Sequence, residues 1–214
     1  HLQPADGILM PSLRKYSSLA EILRYTMTKE AFWNWFDKHK SSLELLINGE
    51  KVDYDVYEEL SDELKKYNEF LIPEITINDN SGFVLIISCD GNKNGIPFVN
   101  ELTQDIRQFE KWEIVKFRQP DAMEFIPLNG KKFKRSNIFL KWEKLSSGQY
   151  YINFFVKHYI QSNSDYEIST LLHMDHTIGE YNSMTKVCGA KMNKLGFFQS
   201  KEGLQDLDDL KIEL

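Results

Sequence analysis

Hydrophobic positions recur at helical spacing in two stretches between residues 28 and 67. The first set is Phe32, Phe36, His39, Leu43 and Leu46, and the second is Val56, Leu60, Leu64 and Tyr67. Thr28 is placed to cap the first helix, and Asn48-Gly49 supplies a stop signal. A shorter helix is expected at residues 18–25. The chain is therefore predicted to begin with a helical hairpin.

The hydrophobic period changes after Pro73, where two strands and a helix are expected. Residues 74–77 and 83–89 read as hairpin strands, and the second is apolar on both faces, which is typical of an interior strand. Pro97 suits the first turn of a helix. The inner face of this helix is expected to carry Val99, Leu102, Ile106 and Phe109. Residues 112–117 alternate as a further strand, which completes a β-β-α-β unit.

The second half of the chain predicts the same order of elements. Strands are expected at 138–142 and 150–160, a helix at 165–179 and a closing strand at 184–192, followed by a short acidic element at 204–214. The predicted inner face of the helix carries Ile168, Leu171, Leu172, Asp175 and Ile178.

These patterns predict an α+β protein with an N-terminal helical hairpin followed by two β-β-α-β units, and with helices packed on a mostly antiparallel sheet. We divide the chain into an N-terminal segment (1–30), a first α/β unit (31–120) and a second unit (121–214) that packs with the first. Residues 1–9 do not begin with Met. They fit a native sequence, a tag, or the end left by a removed leader.

Composition narrows the classes of partner. The chain has 214 residues, 42% hydrophobic and 27% charged, with a formal charge of −6. This balance argues against nucleic acid as a partner, and the basic run Lys131-Lys132-Phe133-Lys134-Arg135 is interpreted as a solvated loop. No apolar run is long enough to span a membrane, so no membrane partner is expected. Cys89 and Cys188 are expected to be free and buried, which indicates a cytoplasmic location.

Two spacings in the chain are compatible with metal binding. Residues 90–95 with Glu101 match a calcium loop, but a strand precedes them and Pro97 removes a backbone donor, which favours a plain turn. His173, His176 and Glu180 share a helix face without further ligands. The chain lacks a phosphate-binding loop, a dinucleotide fingerprint and a nucleophile elbow, and Cys89 lacks a base. We therefore expect no metal and no cofactor.

Several motifs resemble a bacterial family catalogued as domain of unknown function number six hundred and ninety-five. They are Phe32-Trp33-Asn34-Trp35-Phe36, Ile87-Ser88-Cys89-Asp90-Gly91-Asn92, Trp112 with Phe117-Arg118, and Leu171 to Asp175 with Gly179-Glu180-Tyr181. The likeness covers residues 31–210, and Cys89 departs from it where a small residue is expected. It implies a small bacterial protein and brings no reaction or ligand. Some members sit beside ribonuclease-inhibitor-type domains, which favours a regulatory binding role.

The candidate ligand or partner residues are Asp90, Asn92, Arg118, Asp175 and Glu180. Asp175 falls on an apolar helix face, where it either pairs with Arg118 or contributes to a ligand site. The sequence favours a non-enzymatic binding or regulatory module that acts through a protein partner or small ligand. The alternative is a hydrolase-like enzyme with carboxylates or a metal around Asp90, Asp175 and Glu180. The oligomeric state stays open.

Overall fold

The computed structural model describes residues 27–49, 55–78, 80, 82–196 and 201–213. The expected helix at 18–25 lies outside the described residues. The helices are α1 (Lys29–Ile47), α2 (Asp55–Tyr67), α3 (Ile96–Thr103), α4 (Asp165–Ile178), α5 (Glu180–Lys186) and α6 (Leu210–Glu213). The strands are β1 (Ile72–Ile77), β2 (Phe83–Ser88), β3 (Trp112–Lys116), β4 (Phe125–Leu128), β5 (Lys131–Lys134), β6 (Ile138–Lys144), β7 (Tyr150–Lys157) and β8 (Val187–Leu195).

The N-terminal helical hairpin forms as predicted. The Thr28 side chain accepts a hydrogen bond from the Ala31 amide and caps α1. Phe32, Trp33, Phe36 and Leu43 are the buried positions of α1. In α2 the buried residues are Val56, Leu60 and Leu64, spaced four apart so that they lie on one face.

The first β-β-α-β unit follows the helical hairpin. β1 pairs antiparallel with β2, and β2 pairs parallel with β3, so β2 is the middle strand of a three-stranded sheet. The Leu85 and Ile87 side chains of β2 are fully buried. The prediction of an interior strand is therefore confirmed.

Aromatic side chains from α1 and β3 fill the core of this unit. The Phe36 ring meets the rings of Phe109 and Trp112 edge-on, each with centroids 5.1 Å apart. Trp33 donates its indole N–H to the Leu102 carbonyl at 2.9 Å. Trp33, Phe36, Leu102 and Trp112 belong to one buried cluster, and Trp35 and Ile106 pack against it partly buried. Met184, from the second half of the chain, belongs to the same buried cluster.

The second unit has the same topology as the first. β6 pairs antiparallel with β7, β7 pairs parallel with β8, and α4 and α5 form the crossover between β7 and β8. Three of the five strand pairings in the described residues are antiparallel, in β1–β2, β4–β5 and β6–β7. The α+β class and the two β-β-α-β units are therefore as predicted. The expected inner face of α3 is wrong at its end, because the helix stops at Thr103 and Gln104 is extended, so Ile106 and Phe109 lie beyond it.

Two segments of the second half differ from prediction. The closing strand was expected at 184–192 but is β8 at Val187–Leu195, because the chain first turns into α5 after Gly179. The basic run was expected to be a solvated loop, but Lys131–Lys134 is strand β5, paired antiparallel with β4. Only Phe133 of that strand is half-buried, so its lysines remain exposed.

The buried face of α4 is not the one predicted. Ile168 and Leu171 are 44% and 39% exposed, whereas Ser169, Thr170, His173 and Thr177 are buried. The Thr170 and Thr177 hydroxyls donate to the helix carbonyls of Tyr166 and His173, at 2.7 and 2.6 Å. Because these hydroxyls are satisfied within the helix, their burial carries little penalty. Of the predicted inner residues, only Ile178 is fully inside.

None of the helices in the described residues has the length and apolar character needed to cross a bilayer.

Candidate functional site

Three of the five candidate residues meet where the parallel strands β2 and β3 end. Asp90 lies two residues after β2, Arg118 two residues after β3, and Glu180 begins α5. Hydrogen bonds join the segments: Glu180 binds both strand ends, and Arg118 binds Asp90. We call Ser88, Asp90, Arg118 and Glu180 the carboxylate junction, because it connects the two units.

Glu180 is fully buried and both oxygens of its carboxylate are engaged. Oε1 accepts from the Ser88 hydroxyl at 2.9 Å, the Cys89 amide at 3.0 Å and the Gly91 amide at 3.4 Å. Oε2 accepts from the Arg118 amide at 3.0 Å. A buried carboxylate is tolerated when such donors replace its hydration, so this residue is internally satisfied.

The backbone around the junction adopts left-handed conformations. Asp90 and Phe117, the residues that turn the chain out of β2 and β3, have φ of 48° and 56°. Non-glycine residues with positive φ are uncommon and cost free energy. These turns aim the amides of Gly91 and Arg118 at Glu180.

Gly179 sets the position of Glu180. Its φ is 82°, it separates α4 from α5, and its N–H donates to the Asp175 carbonyl at 2.8 Å. A Cβ on this residue would lie 3.1 Å from Pro120 Cδ and 3.4 Å from the Arg118 carbonyl oxygen. The predicted helix end at Gly179 is confirmed, and glycine is required there by both conformation and space.

Arg118 connects β1 to the turn after β2. Its Nε donates to Glu74, and its Nη2 donates to Asp90 Oδ1 at 2.5 Å. Burial alone would lower the pKa of the Arg118 guanidinium, but the hydrogen bonds to Asp90 and Glu74, with the charges of Glu74 and Glu180, raise it. Arg118 therefore stays charged and forms its ion pairs with Glu74 and Asp90. The expected ion pair between Asp175 and Arg118 is not among the salt bridges of the described residues.

Asp175 lies beside the carboxylate junction, half-buried on α4. Burial raises the pKa of its carboxyl group, and the charge of Glu180 adds to the rise. The nearby Ser183 hydroxyl and the positive charges of Arg118 and His176 act in the opposite direction. The net direction is upward. Asp175 is thus the candidate carboxyl group that holds its proton more tightly than a free aspartate does.

Asn92 stabilises the turn after β2. Its side chain accepts from the Asn94 amide at 3.1 Å, and its carbonyl accepts from the Gly95 amide at 2.9 Å. A Cβ on Gly95 would lie 2.4 Å from Cys89 Cβ, so this glycine is required by close packing. Within the described residues, no group of three or more His, Cys, Asp and Glu side chains is arranged to hold a metal ion.

His173 and Glu180 serve different parts of the fold. The His173 ring bonds through Nε2 to the Phe133 carbonyl of β5 at 2.9 Å, and burial lowers its pKa. Glu180 belongs to the carboxylate junction instead. The helical spacing of these residues therefore reflects two separate packing roles.

The two cysteines are free, but only one is buried. Burial and the neighbouring charge of Glu180 raise the pKa of the Cys89 thiol to about 12. Such a thiol is almost entirely protonated at neutral pH, which makes it a poor nucleophile. Cys188 is exposed, so the prediction that both are buried is wrong for Cys188.

The sequence did not reveal Ser88 and Glu74 as members of this network. Ser88 is a fully buried hydroxyl that donates to Glu180 and accepts from the Asp90 amide at 3.0 Å. A hydroxyl at the end of an apolar strand was the available signal, since it needs a partner when buried. Glu74 showed no such signal, because its partner Arg118 lies 44 residues away.

A comparison with protein-family models finds no match, and a comparison with curated proteins finds no similar sequence. The resemblance to the domain-of-unknown-function family therefore remains a prediction that rests on the quoted motifs. Three of those motifs supply Ser88, Arg118 and Glu180, which meet in the carboxylate junction.

Proposed function

We propose that the chain is a non-enzymatic binding or regulatory module that acts through a protein partner or a small ligand. The observation that carries the proposal is the state of Glu180: no part of it is exposed, and both carboxylate oxygens accept hydrogen bonds from the protein itself. A catalytic carboxylate must reach substrate or water. Glu180 instead resembles a structural crosslink between the units.

The surroundings of Glu180 support the same interpretation. Arg118 is committed to Glu74 and Asp90, and the Cys89 thiol is protonated. The exposed apolar side chains of Ile168 and Leu171 on α4 are consistent with a surface that contacts another molecule. The free thiols of Cys89 and Cys188 support a reducing compartment, and we place the protein in a bacterial cytoplasm.

The alternative is a hydrolase-like enzyme around Asp90, Asp175 and Glu180. One observation favours it: burial raises the pKa of Asp175, and a carboxyl group that retains its proton is suited to general acid catalysis. Asp90 is the most accessible of the three, with its side chain 60% exposed. The alternative therefore requires Asp90 and Asp175 to act together on a substrate.

A hydrolysis assay distinguishes the binding module from the hydrolase. Chromogenic phosphate and carboxylate esters are incubated with the protein and Mg²⁺, Mn²⁺ or Zn²⁺, in parallel with Asp90→Asn and Asp175→Asn. We expect equal, background rates for all three proteins. A rate above background that is lost in either variant, while its melting temperature is kept, would establish the hydrolase and overturn the proposal.

A further inference from the structure

A cavity of about 310 Å³ opens in the second unit, away from the carboxylate junction. Strand β5, the end of β7 and the first turns of α4 form its walls. Four lysines line it, namely Lys131, Lys132, Lys134 and Lys157, and His158 lies beside them. None of the described residues that line it is acidic, although the whole chain carries a formal charge of −6. The local charge of the cavity is therefore opposite to that of the protein.

The interior of the cavity is apolar and aromatic. Ile138 and Val156 are buried beneath it, and Phe133 and Tyr166 pack edge-to-face with ring centroids 5.1 Å apart. An apolar interior with charged groups around it is typical of a site for a small organic ligand. The volume falls at the lower end of the range for such sites.

The topology places the cavity where α/β units bind anions. Val156 and Lys157 end β7, which runs parallel to β8, and Tyr166 stands in the first turn of α4. Ligands of such units bind beyond the carboxyl ends of parallel strands, and the start of a helix favours negative charge. The two carboxylates in the first turn of α4 are not among the residues that line the cavity, and each accepts a hydrogen bond from a neutral donor. Asp165 accepts from Asn129, and Glu167 accepts from the Tyr159 hydroxyl, both at 2.8 Å.

The lysines of the cavity are available to a ligand. The salt bridges found among the described residues use other cations, and Arg135, next to β5, is paired with Asp208. The Lys132 and Lys157 ammonium groups lie 4.3 and 5.4 Å from the ring centroids of Phe125 and Phe139, two residues that do not line the cavity. A ring neutralises no charge, so the positive potential of the cavity is retained.

We propose that this cavity binds a small organic dianion with an aromatic or apolar body. The lysines would hold the doubly charged group, and the Phe133 and Tyr166 rings would contact the body. A phosphate monoester and a dicarboxylate share this chemistry, and lysine binds either one as a point charge. The proposal does not depend on the role of Glu180, because the cavity lies in a separate part of the second unit.

The test measures binding of phenyl phosphate and of phthalate to the full chain by titration calorimetry, with inorganic phosphate as the probe that lacks a body. We expect phenyl phosphate or phthalate to bind with a Kd on the order of 1 mM or tighter, and inorganic phosphate more weakly. The Lys134→Gln/Lys157→Gln variant, which changes two walls of the cavity, should weaken binding by about tenfold or more.

The matched control is Lys191→Gln/Lys194→Gln on β8, which removes the same charge outside the cavity. This control should bind like the parent. Equal losses in both variants would show a non-specific charge effect and overturn the proposal. So would the absence of binding by both organic dianions. A single-stranded oligonucleotide that binds more tightly than either of them, through the same lysines, would assign the cavity to nucleic acid instead.

Discussion

Arg118 and Glu180 exchange hydrogen bonds in both directions. The Arg118 amide donates to the Glu180 carboxylate at 3.0 Å, and the Glu180 amide donates to the Arg118 carbonyl, also at 3.0 Å. This reciprocal pair fixes the start of α5 against the end of β3. The carboxylate and the backbone amide of Glu180 thus both bond to the backbone of Arg118 and join the two units.

Replacing Glu180 by Gln should destabilise the protein by about 2–4 kcal/mol. One carboxylate oxygen becomes an NH₂ group that faces an N–H or O–H donor, so at least one buried hydrogen bond is lost. Urea denaturation followed by circular dichroism measures the change. Glu143→Gln on the exposed side of β6 is the matched control and should unfold like the parent. Equal stability of the two variants would show that the Glu180 carboxylate does not stabilise the fold.

Truncating Phe36 to Ala should cost about 3–5 kcal/mol, because the ring is fully buried between Phe109 and Trp112. Thermal or urea unfolding gives the value. Leu45→Ala on the same helix serves as the control, since Leu45 is 39% exposed and should change stability little. A Phe36→Ala protein that melts with the parent would contradict the packing of the core.

The two thiols should react at very different rates. In native protein at mildly alkaline pH, Cys188 should label quickly with a thiol reagent because it is exposed, whereas Cys89 should label slowly because it is buried with a pKa of about 12. In denaturant Cys89 should also label quickly, so that two thiols per chain react. Cys188→Ser should abolish the fast phase alone. Two fast equivalents, or a mass that indicates a disulfide, would refute this assignment.

The stability contribution of Asp175 should fall as the pH rises. The folded state raises the pKa of this carboxyl group above its usual value of 3.8, so protonation favours the fold. That stabilisation is complete below pH 3.8 and is lost as the pH rises through the folded-state pKa. Asn carries no titrating group. The stability of the parent relative to Asp175→Asn should therefore decline between acid and neutral pH, as measured by urea titrations at several pH values. A difference that stays constant with pH would show that Asp175 does not titrate abnormally.

Local pattern was sufficient for most elements of the fold. The apolar run of Val84 to Ile87 indicated an interior strand, and Thr28 marked the start of α1, because both signals depend on neighbouring residues. Strand β5 was not predicted, because three of its four residues are exposed lysines and only Phe133 is half-buried. Helix α5 was not predicted, because Gly179 is both the C-cap of α4 and the N-cap of α5, with no loop between the helices.

Long-range pairing explains the remaining differences. The sequence indicated Glu180 as a candidate ligand or partner residue, but its hydrogen-bond partners at Ser88 and Arg118 are 92 and 62 positions away. The α4 face was assigned by hydrophobicity, which does not account for Thr170 and Thr177 donating to carbonyls of their own helix. Neither a hydrogen-bond donor far away in the chain nor a hydroxyl that bonds to its own helix changes the hydrophobic periodicity, so neither could be predicted from it.

The position of Glu180 in the chain has a consequence for synthesis. All residues of the first sheet leave the ribosome before residue 180 does. Until then the amide of Cys89 and the hydroxyl of Ser88 have no Glu180 carboxylate to accept their hydrogen bonds. Met184, which fills part of the first core, arrives later still. The core of the first unit can therefore be completed only after residues 180–184 have been synthesised, so its final packing depends on the second half of the chain.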